Sequence, residues 1–211
     1  MRLRNIIPMS EAVRAKLTNM RWLWKIPLFG PAMFAVWKLD AKRKRDWIAP
    51  YLPSQARILE IGSGPGSVLS LLRADGRNVT AVDVTDTSYN DTLQPILYDG
   101  ARLPYDDDSF DVALLLTVLH HTHDPDAILR EAMRVAARVL VIEDIYSSPL
   151  QRRLTKVTDA IINLEFIDHP HANRDDKGWH ETFERLGLRI THRSEKPMLG
   201  YFRQCLYVLE R

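Results

Sequence analysis

The chain has 211 residues, of which 45% are hydrophobic and 27% are charged. This length and composition fit one folded domain of ordinary size, and they exclude a disordered chain, a collagen-like chain and a disulfide-rich miniprotein. The single cysteine, Cys205, excludes an internal disulfide and a zinc site made of several cysteines. We therefore expect a protein of the reducing cytoplasm.

Charge is unevenly distributed along the chain. Residues 1–45 contain eleven basic and two acidic side chains, although the formal net charge of the whole chain is only +2. The same region is rich in tryptophan, with Trp22, Trp24, Trp37 and Trp47. We expect a basic, aromatic N-terminal helical cap over residues 1–50 and an acidic main domain over residues 51–211.

The N-terminal region has an amphipathic pattern that is broken by prolines. Apolar positions recur at helical spacing from Ser10, and Pro27 and Pro31 are expected to end that helix. A second helix is predicted from residue 32 to about residue 47. Because charged and proline residues interrupt the apolar stretch, we predict neither a membrane span nor a cleavable signal.

Strand and helix patterns alternate in the rest of the chain. The patterns predict strands over 57–61, 79–84, 96–98, 110–116, 139–142, 188–193 and 201–209. They predict helices over 67–73 and 126–135, a helix opened by Ser148 and Pro149, and a short one ended by Gly187. The uninterrupted apolar run 110–116 is typical of a strand buried on both faces of a parallel sheet. This alternation predicts an α/β fold with an open sheet.

A glycine-rich loop follows the first predicted strand of the main domain. It contains Gly62, Gly64 and Gly66, and such a strand–loop–helix segment lets the backbone approach a nucleotide closely. Ser67 stands where the dinucleotide fingerprint requires glycine, and no Gly-Lys-Ser/Thr sequence follows, which excludes a Walker loop. Glu60, just before the loop, would repel a diphosphate and would suit a cationic ligand.

Two aspartates end the next two predicted strands. Asp83 follows the second strand and can accept hydrogen bonds from both ribose hydroxyls of an adenosine. Asp99 follows the third, where its side chain could accept from an adenine amino group while the Gly100 amide donates to a ring nitrogen. Each aspartate alone is also a common strand-end cap or turn residue, but acids at three successive strand ends favour a nucleoside site.

These segments resemble the class I S-adenosylmethionine-dependent methyltransferases, in the small-molecule group that includes the ubiquinone-biosynthesis type. The matching segments are 59–66, 81–84, 99 with 103–105, 107–112, and 118–121 with 124–125. The resemblance implies a doubly wound, Rossmann-like sheet of seven strands, mostly parallel with the last strand antiparallel. One departure is the stretch 134–138, where the family often has a Lys-Pro-Gly-Gly turn.

The resemblance also implies that S-adenosyl-L-methionine is the cofactor. The residues expected to bind it are Glu60, Gly62, Gly64, Gly66, Asp83, Val84, Asp99, Gly100 and Thr117.

Histidines supply the candidate catalytic groups. His120, His121 and His123 lie in one short loop without a distant fourth ligand, so no metal site is predicted. The resemblance suggests that His121 shapes the cofactor and acceptor pocket. His169 and His171 could act as a general base and contact the acceptor, although the segment 166–173 also fits a polar surface loop.

The expected function is methyl transfer to a small, lipophilic acceptor. The chain has no Asn/Asp-Pro-Pro-Tyr/Phe segment for exocyclic base amines, and its acidic main domain offers no extended basic face, so we expect no nucleic-acid substrate. Two alternatives stay open: an RNA or protein methyltransferase that uses the basic arm, and an inactive methyltransferase-like partner subunit. The sequence leaves the oligomeric state and the methylated atom undetermined.

The basic, tryptophan-rich segment suggests two placements. Residues 1–47 are expected to lie over the acceptor pocket and to contact anionic membranes peripherally. The alternative is that their aromatic side chains simply pack as core.

Overall fold

A seven-stranded sheet organises the chain, and its strand order is β3-β2-β1-β4-β5-β7-β6. The structure is a computed structural model that describes residues 26–163 and 172–211. The strands are β1 (Arg57–Ile61), β2 (Asn78–Asp83), β3 (Ile96–Leu97), β4 (Phe110–Leu116), β5 (Ala136–Ile145), β6 (Arg189–Met198) and β7 (Phe202–Glu210). β7 runs antiparallel to both of its neighbours, whereas β1 to β5 pair in parallel. The predicted fold class is confirmed.

Helices cover both faces of the sheet. They are α1 (Phe29–Ile48), α2 (Ser67–Ala74), α3 (Pro125–Val135), α4 (Pro149–Asn163) and α5 (Asp176–Arg185). The core on one face includes Phe34 and Trp47 of α1 together with Leu69 of α2. The core on the other face includes Leu129 of α3 and Trp179 of α5. β4 supplies side chains to both cores, as its apolar run predicts.

The strand order determines where a ligand can bind. β1 pairs with β2 on one side and with β4 on the other, so the chain reverses its direction of winding between β1 and β4. In open α/β sheets, ligands bind outside the carboxyl ends of the strands at such a switch point. The predicted glycine loop follows β1 and therefore lies at this position.

The N-terminal helix begins earlier than its prolines suggest. α1 starts at Phe29, so Pro31 lies in its first turn, where a backbone N–H has no partner within the helix. Its buried side chains join the core of the sheet, which agrees with the packing alternative for Phe34, and Trp47 is buried as well. The helix predicted from Ser10 lies outside the described residues, and the domain boundary at residue 50 stays a prediction.

The other differences concern element ends. β5 extends from Ala136 to Ile145, and α3 passes directly into it at Val135, which explains why the usual turn before the fifth strand is absent. Ser148 caps α4 as expected, since its Oγ accepts from the Gln151 amide at 3.2 Å. Within the described parts of the chain, no helix is both long enough and apolar enough to span a membrane.

Candidate functional site

The glycine loop is shaped by left-handed backbone and by close neighbours. Gly62, Gly64 and Gly66 have φ angles of 74°, 52° and 78°. A Cβ on Gly62 would lie 2.6 Å from a methyl carbon of Val118, and one on Gly66 would lie 2.8 Å from Leu93 Cβ. A Cβ on Gly64 would meet nothing within 4 Å. Two glycines therefore let neighbouring segments pack against the loop, and the third faces open space.

Asp83 holds the loop from the end of β2. Its Oδ2 accepts the Gly64 amide at 2.9 Å, and its Oδ1 accepts the Val84 amide at 2.7 Å. Burial raises the pKa of Asp83 above its ordinary value, although these backbone donors act in the opposite direction. The carboxylate therefore braces the loop from the position expected of the ribose-binding residue.

Glu60 is a buried carboxyl group with an unsatisfied oxygen. Its side chain ends at the base of the loop and is 4% exposed. Within the described structure, Glu60 Oε2 and Ser63 Oγ are buried without a hydrogen-bond partner. Burial, followed by the nearby charge of Asp83, raises the pKa of Glu60 to about 8. Buried polar groups normally have partners, so these two oxygens are able to accept hydrogen bonds from a polar, cationic ligand.

The end of β3 combines a polar turn with an exposed apolar surface. Asp99 Oδ1 accepts the amides of Ala101 and Arg102 at 2.8 and 3.0 Å, and these bonds lower the pKa of Asp99. Beside this turn, a Cβ on Gly100 would lie 3.2 Å from Val84, whose side chain is exposed. Asp99 thus forms the turn while Val84 and Gly100 offer a surface that suits a flat base.

Glu143 determines the conformation of the loop after β4. Its Oε1 accepts the amides of Val118 and Leu119 at 3.0 and 2.7 Å, and its Oε2 lies 2.6 Å from Nδ1 of His120. Both His120 and Glu143 are buried. Just before them, Thr117 has a φ of 61° and its amide donates to the Ile142 carbonyl. The sequence analysis did not reveal this pairing.

The structure describes one of the three candidate catalytic histidines, His121. His121 is half-buried in the short 3-10 helix Leu119–His121, and its ring centroid lies 4.0 Å from that of His120. His169 and His171 lie outside the described residues, so their catalytic roles stay predictions. No group of three His, Cys, Asp or Glu side chains that could hold a metal occurs among residues 26–163 and 172–211.

Lys44 is a site residue that sequence reasoning missed. This lysine of α1 is buried, and its Nζ donates to Thr117 Oγ1 at 2.8 Å and to Asp40 at 2.9 Å. Nearby, Asp144 at the end of β5 accepts from Gln204 Nε2 at 2.7 Å. Burial raises the pKa of Asp144 to about 6. A polar layer thus separates α1 from the carboxyl ends of β4 and β5.

Comparison with known proteins agrees with this geometry. Residues 59–138 match the family described as "Methyltransferase domain". Residues 59–138 therefore carry a methyltransferase domain. The chain is 31% identical over 122 residues to the ubiquinone/menaquinone biosynthesis C-methyltransferase of Vibrio parahaemolyticus, with 49% of this chain and 46% of that protein covered. It is 33% identical over 108 residues to the 27-O-demethylrifamycin SV methyltransferase of Amycolatopsis mediterranei, with 44% and 40% covered.

Solved structures share the fold of this methyltransferase domain. The magnesium protoporphyrin IX methyltransferase of Synechocystis PCC 6803, solved with bound SAH, has a TM-score of 0.62 and 15% identity, and the match covers 96% of this chain and 100% of that chain. A SAM-dependent methyltransferase from Methanosarcina mazei has a TM-score of 0.62 and 18% identity, with 78% and 96% covered. Each match to the two curated relatives spans less than half of the relative's length.

The residues of the methyltransferase domain fit the implied cofactor, S-adenosylmethionine. The unsatisfied oxygens of Glu60 and Ser63 suit an ammonium group, and the open space at Gly64 leaves room for a ligand. The family assignment made from the glycine loop and the acidic strand ends is confirmed by these comparisons. The individual binding roles of the named residues stay predictions.

Two variants can separate the steric clash of a side chain at Gly62 with Val118 from the strain of the left-handed backbone. Gly76 has a φ of 75° and no neighbour that a Cβ would meet, so Gly76→Ala is a matched control for Gly62→Ala. We expect Gly62→Ala to lower the melting temperature more than Gly76→Ala does, because only the first substitution forces Val118 away. Thermal denaturation of both variants measures the difference. Equal losses would mean that backbone strain alone matters at Gly62.

Proposed function

We propose that this protein is a cytoplasmic enzyme that transfers a methyl group from S-adenosylmethionine to a small, lipophilic acceptor. The buried, unpartnered oxygen of Glu60 beside an open glycine loop is the observation that carries this proposal. A buried carboxyl group without a partner is costly, and a cationic ligand would relieve that cost. The curated relatives, named as a C-methyltransferase of ubiquinone/menaquinone biosynthesis and as a 27-O-demethylrifamycin SV methyltransferase, support a small-molecule acceptor.

The chain's own residues would bind and orient the reactants. Glu60 would face the ammonium group of the cofactor, and Asp83 would hold the loop while it accepts from the ribose. When bound, the cofactor supplies an electrophilic methyl group on a sulfonium. In-line displacement at that carbon needs alignment and exclusion of water, which rigid loops provide.

The acceptor side would be formed by the loop after β4 and the end of β5. His121 is half-buried there, and the Glu143–His120 pair fixes the backbone around it. Tyr146 donates to the Asn173 carbonyl at 3.4 Å, so the segment before α5 approaches the same edge. We propose His121, His169 and His171 as the candidates for a base when the acceptor must lose a proton.

The first test is ligand binding. We expect S-adenosylhomocysteine to bind with a micromolar dissociation constant, and Asp83→Ala to weaken it by about 1–3 kcal/mol, because the loop and the ribose lose their acceptor. Isothermal titration calorimetry measures both values, and Asp106→Ala, an exposed aspartate in another loop, is the control. Tight binding of NADH without S-adenosylhomocysteine would contradict the proposal. Binding without methyl transfer to any lipid-extractable acceptor would favour the inactive-subunit alternative.

Glu60 predicts how affinity depends on pH. Its pKa of about 8 means that the free protein carries a protonated Glu60 near pH 6, and a bound cation favours the ionised form. We expect the affinity for S-adenosylhomocysteine to rise with pH up to about pH 8, by up to about tenfold per pH unit. Asp144 titrates in the same range, so Glu60→Gln serves as the control and should flatten the profile. A slope that persists in Glu60→Gln would assign the effect to another group.

Without a ligand, the free energy of unfolding should fall as pH rises, whereas the affinity for the ligand should increase. Because the folded state raises the pKa of Glu60 above its ordinary value, its contribution to stability is fully present below about pH 4.5 and is lost as pH rises through about 8. A cationic ligand would compensate for this loss.

We also propose that residues 1–47 contact anionic membranes. Three apolar side chains at α1, Leu28, Val36 and Leu39, are 87%, 59% and 71% exposed, in a segment with a strong excess of basic residues. Apolar side chains beside basic ones favour binding at an anionic lipid surface.

Vesicle co-sedimentation tests the membrane proposal. The protein should sediment with phosphatidylserine-rich vesicles at low salt and be released at high salt, because the basic residues supply screened attraction. The double variant Val36→Ser/Leu39→Ser should bind less. Leu150→Ser/Leu154→Ser, on exposed positions of α4 outside the basic segment, is the matched control. Absence of sedimentation at low salt would contradict the proposal.

A further inference from the structure

Asn173 carries a buried side-chain amide that bonds to nothing around it. The residue precedes α5 and is only 7% exposed. Among residues 26–163 and 172–211, it is the only side chain with two buried polar atoms that lack a hydrogen-bond partner, Nδ2 and Oδ1. Buried amides in native proteins normally have partners, because burying an unpaired one costs free energy. Packing alone therefore does not account for an asparagine at this position.

The backbone around Asn173 is held at the carboxyl edge of the sheet. The amide of Ala172 donates to the His120 carbonyl at 2.9 Å, and the Asn173 carbonyl accepts from the Tyr146 hydroxyl at 3.4 Å. His120 lies in the loop after β4, and Tyr146 directly follows β5. Asn173 is therefore connected to the same two segments that would form the acceptor side of the proposed site.

The residues that follow this asparagine fix the segment from its other end. Arg174 donates to Asp126 at 3.2 Å, and its guanidinium carbon lies 5.1 Å from the centre of the Trp179 ring. The Asp175 side chain caps α5 by accepting a backbone amide at 2.8 Å. Because both flanks are anchored, the buried amide is held in place before any ligand arrives, which lowers the entropy cost of binding.

A primary amide presents two different groups on one planar edge. Its nitrogen donates and its oxygen accepts, so the complementary partner carries an acceptor and a donor side by side. A carboxylate has no donor and an ammonium has no acceptor, so neither ion satisfies both atoms. Two buried carboxyl groups, Glu143 and Asp144, lie just before Tyr146 and further disfavour an anion. The amide therefore favours a neutral group that both donates and accepts.

We propose that Asn173 recognises the methyl acceptor through a neutral, planar group with adjacent hydrogen-bond donor and acceptor atoms, as in a carboxamide or a lactam. This inference rests on the proposed function and narrows its acceptor class. Two parallel hydrogen bonds in one plane fix the orientation of the acceptor as well as its position. Asn173 lies outside the residues 59–138 that match the methyltransferase domain family.

Stability separates an amide kept for a ligand from an amide kept for the fold. Asn173→Leu replaces two unpaired polar atoms with apolar atoms of similar shape, so the melting temperature should stay the same or rise. Gln204 is the matched control, because its buried amide donates to Asp144 at 2.7 Å and accepts from Arg43. Gln204→Leu should lower the melting temperature, since it leaves both partners unpaired. Equal losses in thermal denaturation of the two variants would overturn the inference.

The binding experiment compares two probes that differ in one group. They are 2-naphthamide and 2-acetylnaphthalene, which keeps the carbonyl and carries a methyl group in place of the amino group. With S-adenosylhomocysteine at saturation, we expect the unmodified protein to bind 2-naphthamide more tightly by roughly 5- to 100-fold, because the ketone leaves Asn173 Oδ1 unpaired. Asn173→Leu should abolish this preference and keep the affinity for S-adenosylhomocysteine. Asn78→Leu, at an exposed amide at the start of β2, should keep the preference.

Each outcome of the calorimetric titrations has a distinct meaning. A preference that survives Asn173→Leu would overturn the inference. Normal binding of S-adenosylhomocysteine without any preference between the two probes would overturn the inference alone and would assign an ordered water to the amide. Failure to bind S-adenosylhomocysteine would overturn the proposed function itself, and the inference with it. If Asn173→Leu does not fold, Asn173→Ala, which removes the amide without adding bulk, provides the same binding comparison.

Discussion

The central constraint in this molecule is a carboxyl group buried where the sheet reverses its winding. Glu60 follows a fully buried apolar strand segment and reaches the carboxyl edge with one oxygen unsatisfied. A protein core cannot hold such a group without cost, and the raised pKa of Glu60 records that cost. The open loop at Gly64, the bracing by Asp83 and the buried cation of α1 are all arranged around it.

Two further carboxylates keep this edge rigid by accepting backbone amides. Asp83 holds the loop after β1, and Glu143 holds the loop after β4. Each side chain accepts backbone N–H donors in place of water, an arrangement that stabilises a loop without occupying the space that a ligand needs. The buried oxygens of Glu60 and Ser63 keep unused hydrogen-bonding capacity, whereas the backbone that surrounds them is held by these carboxylates.

The N-terminal helix lies outside the matched family region and contacts the same edge of the sheet. α1 packs its apolar side into the core with α2, and the same helix directs Lys44 to Thr117. The sequence did indicate a basic, aromatic segment here. Which of its many cations is buried depended on the rotation of α1 about its axis. That rotation is determined by how Phe34, Ala41 and Ile48 pack against the sheet.

The sequence by itself determined the features that depend on neighbouring residues. The bounds of β1 and β4, the glycine loop and the cap at Ser148 were predictable, because apolar runs, glycines and capping side chains act within a few positions of the chain. The tertiary structure alone decided the pairs formed across long separations. Glu143 meets His120, and Lys44 meets Thr117, 23 and 73 residues apart, because strand order and helix packing bring them together. Such contacts leave no periodic pattern in the sequence, since they depend on the global path of the chain.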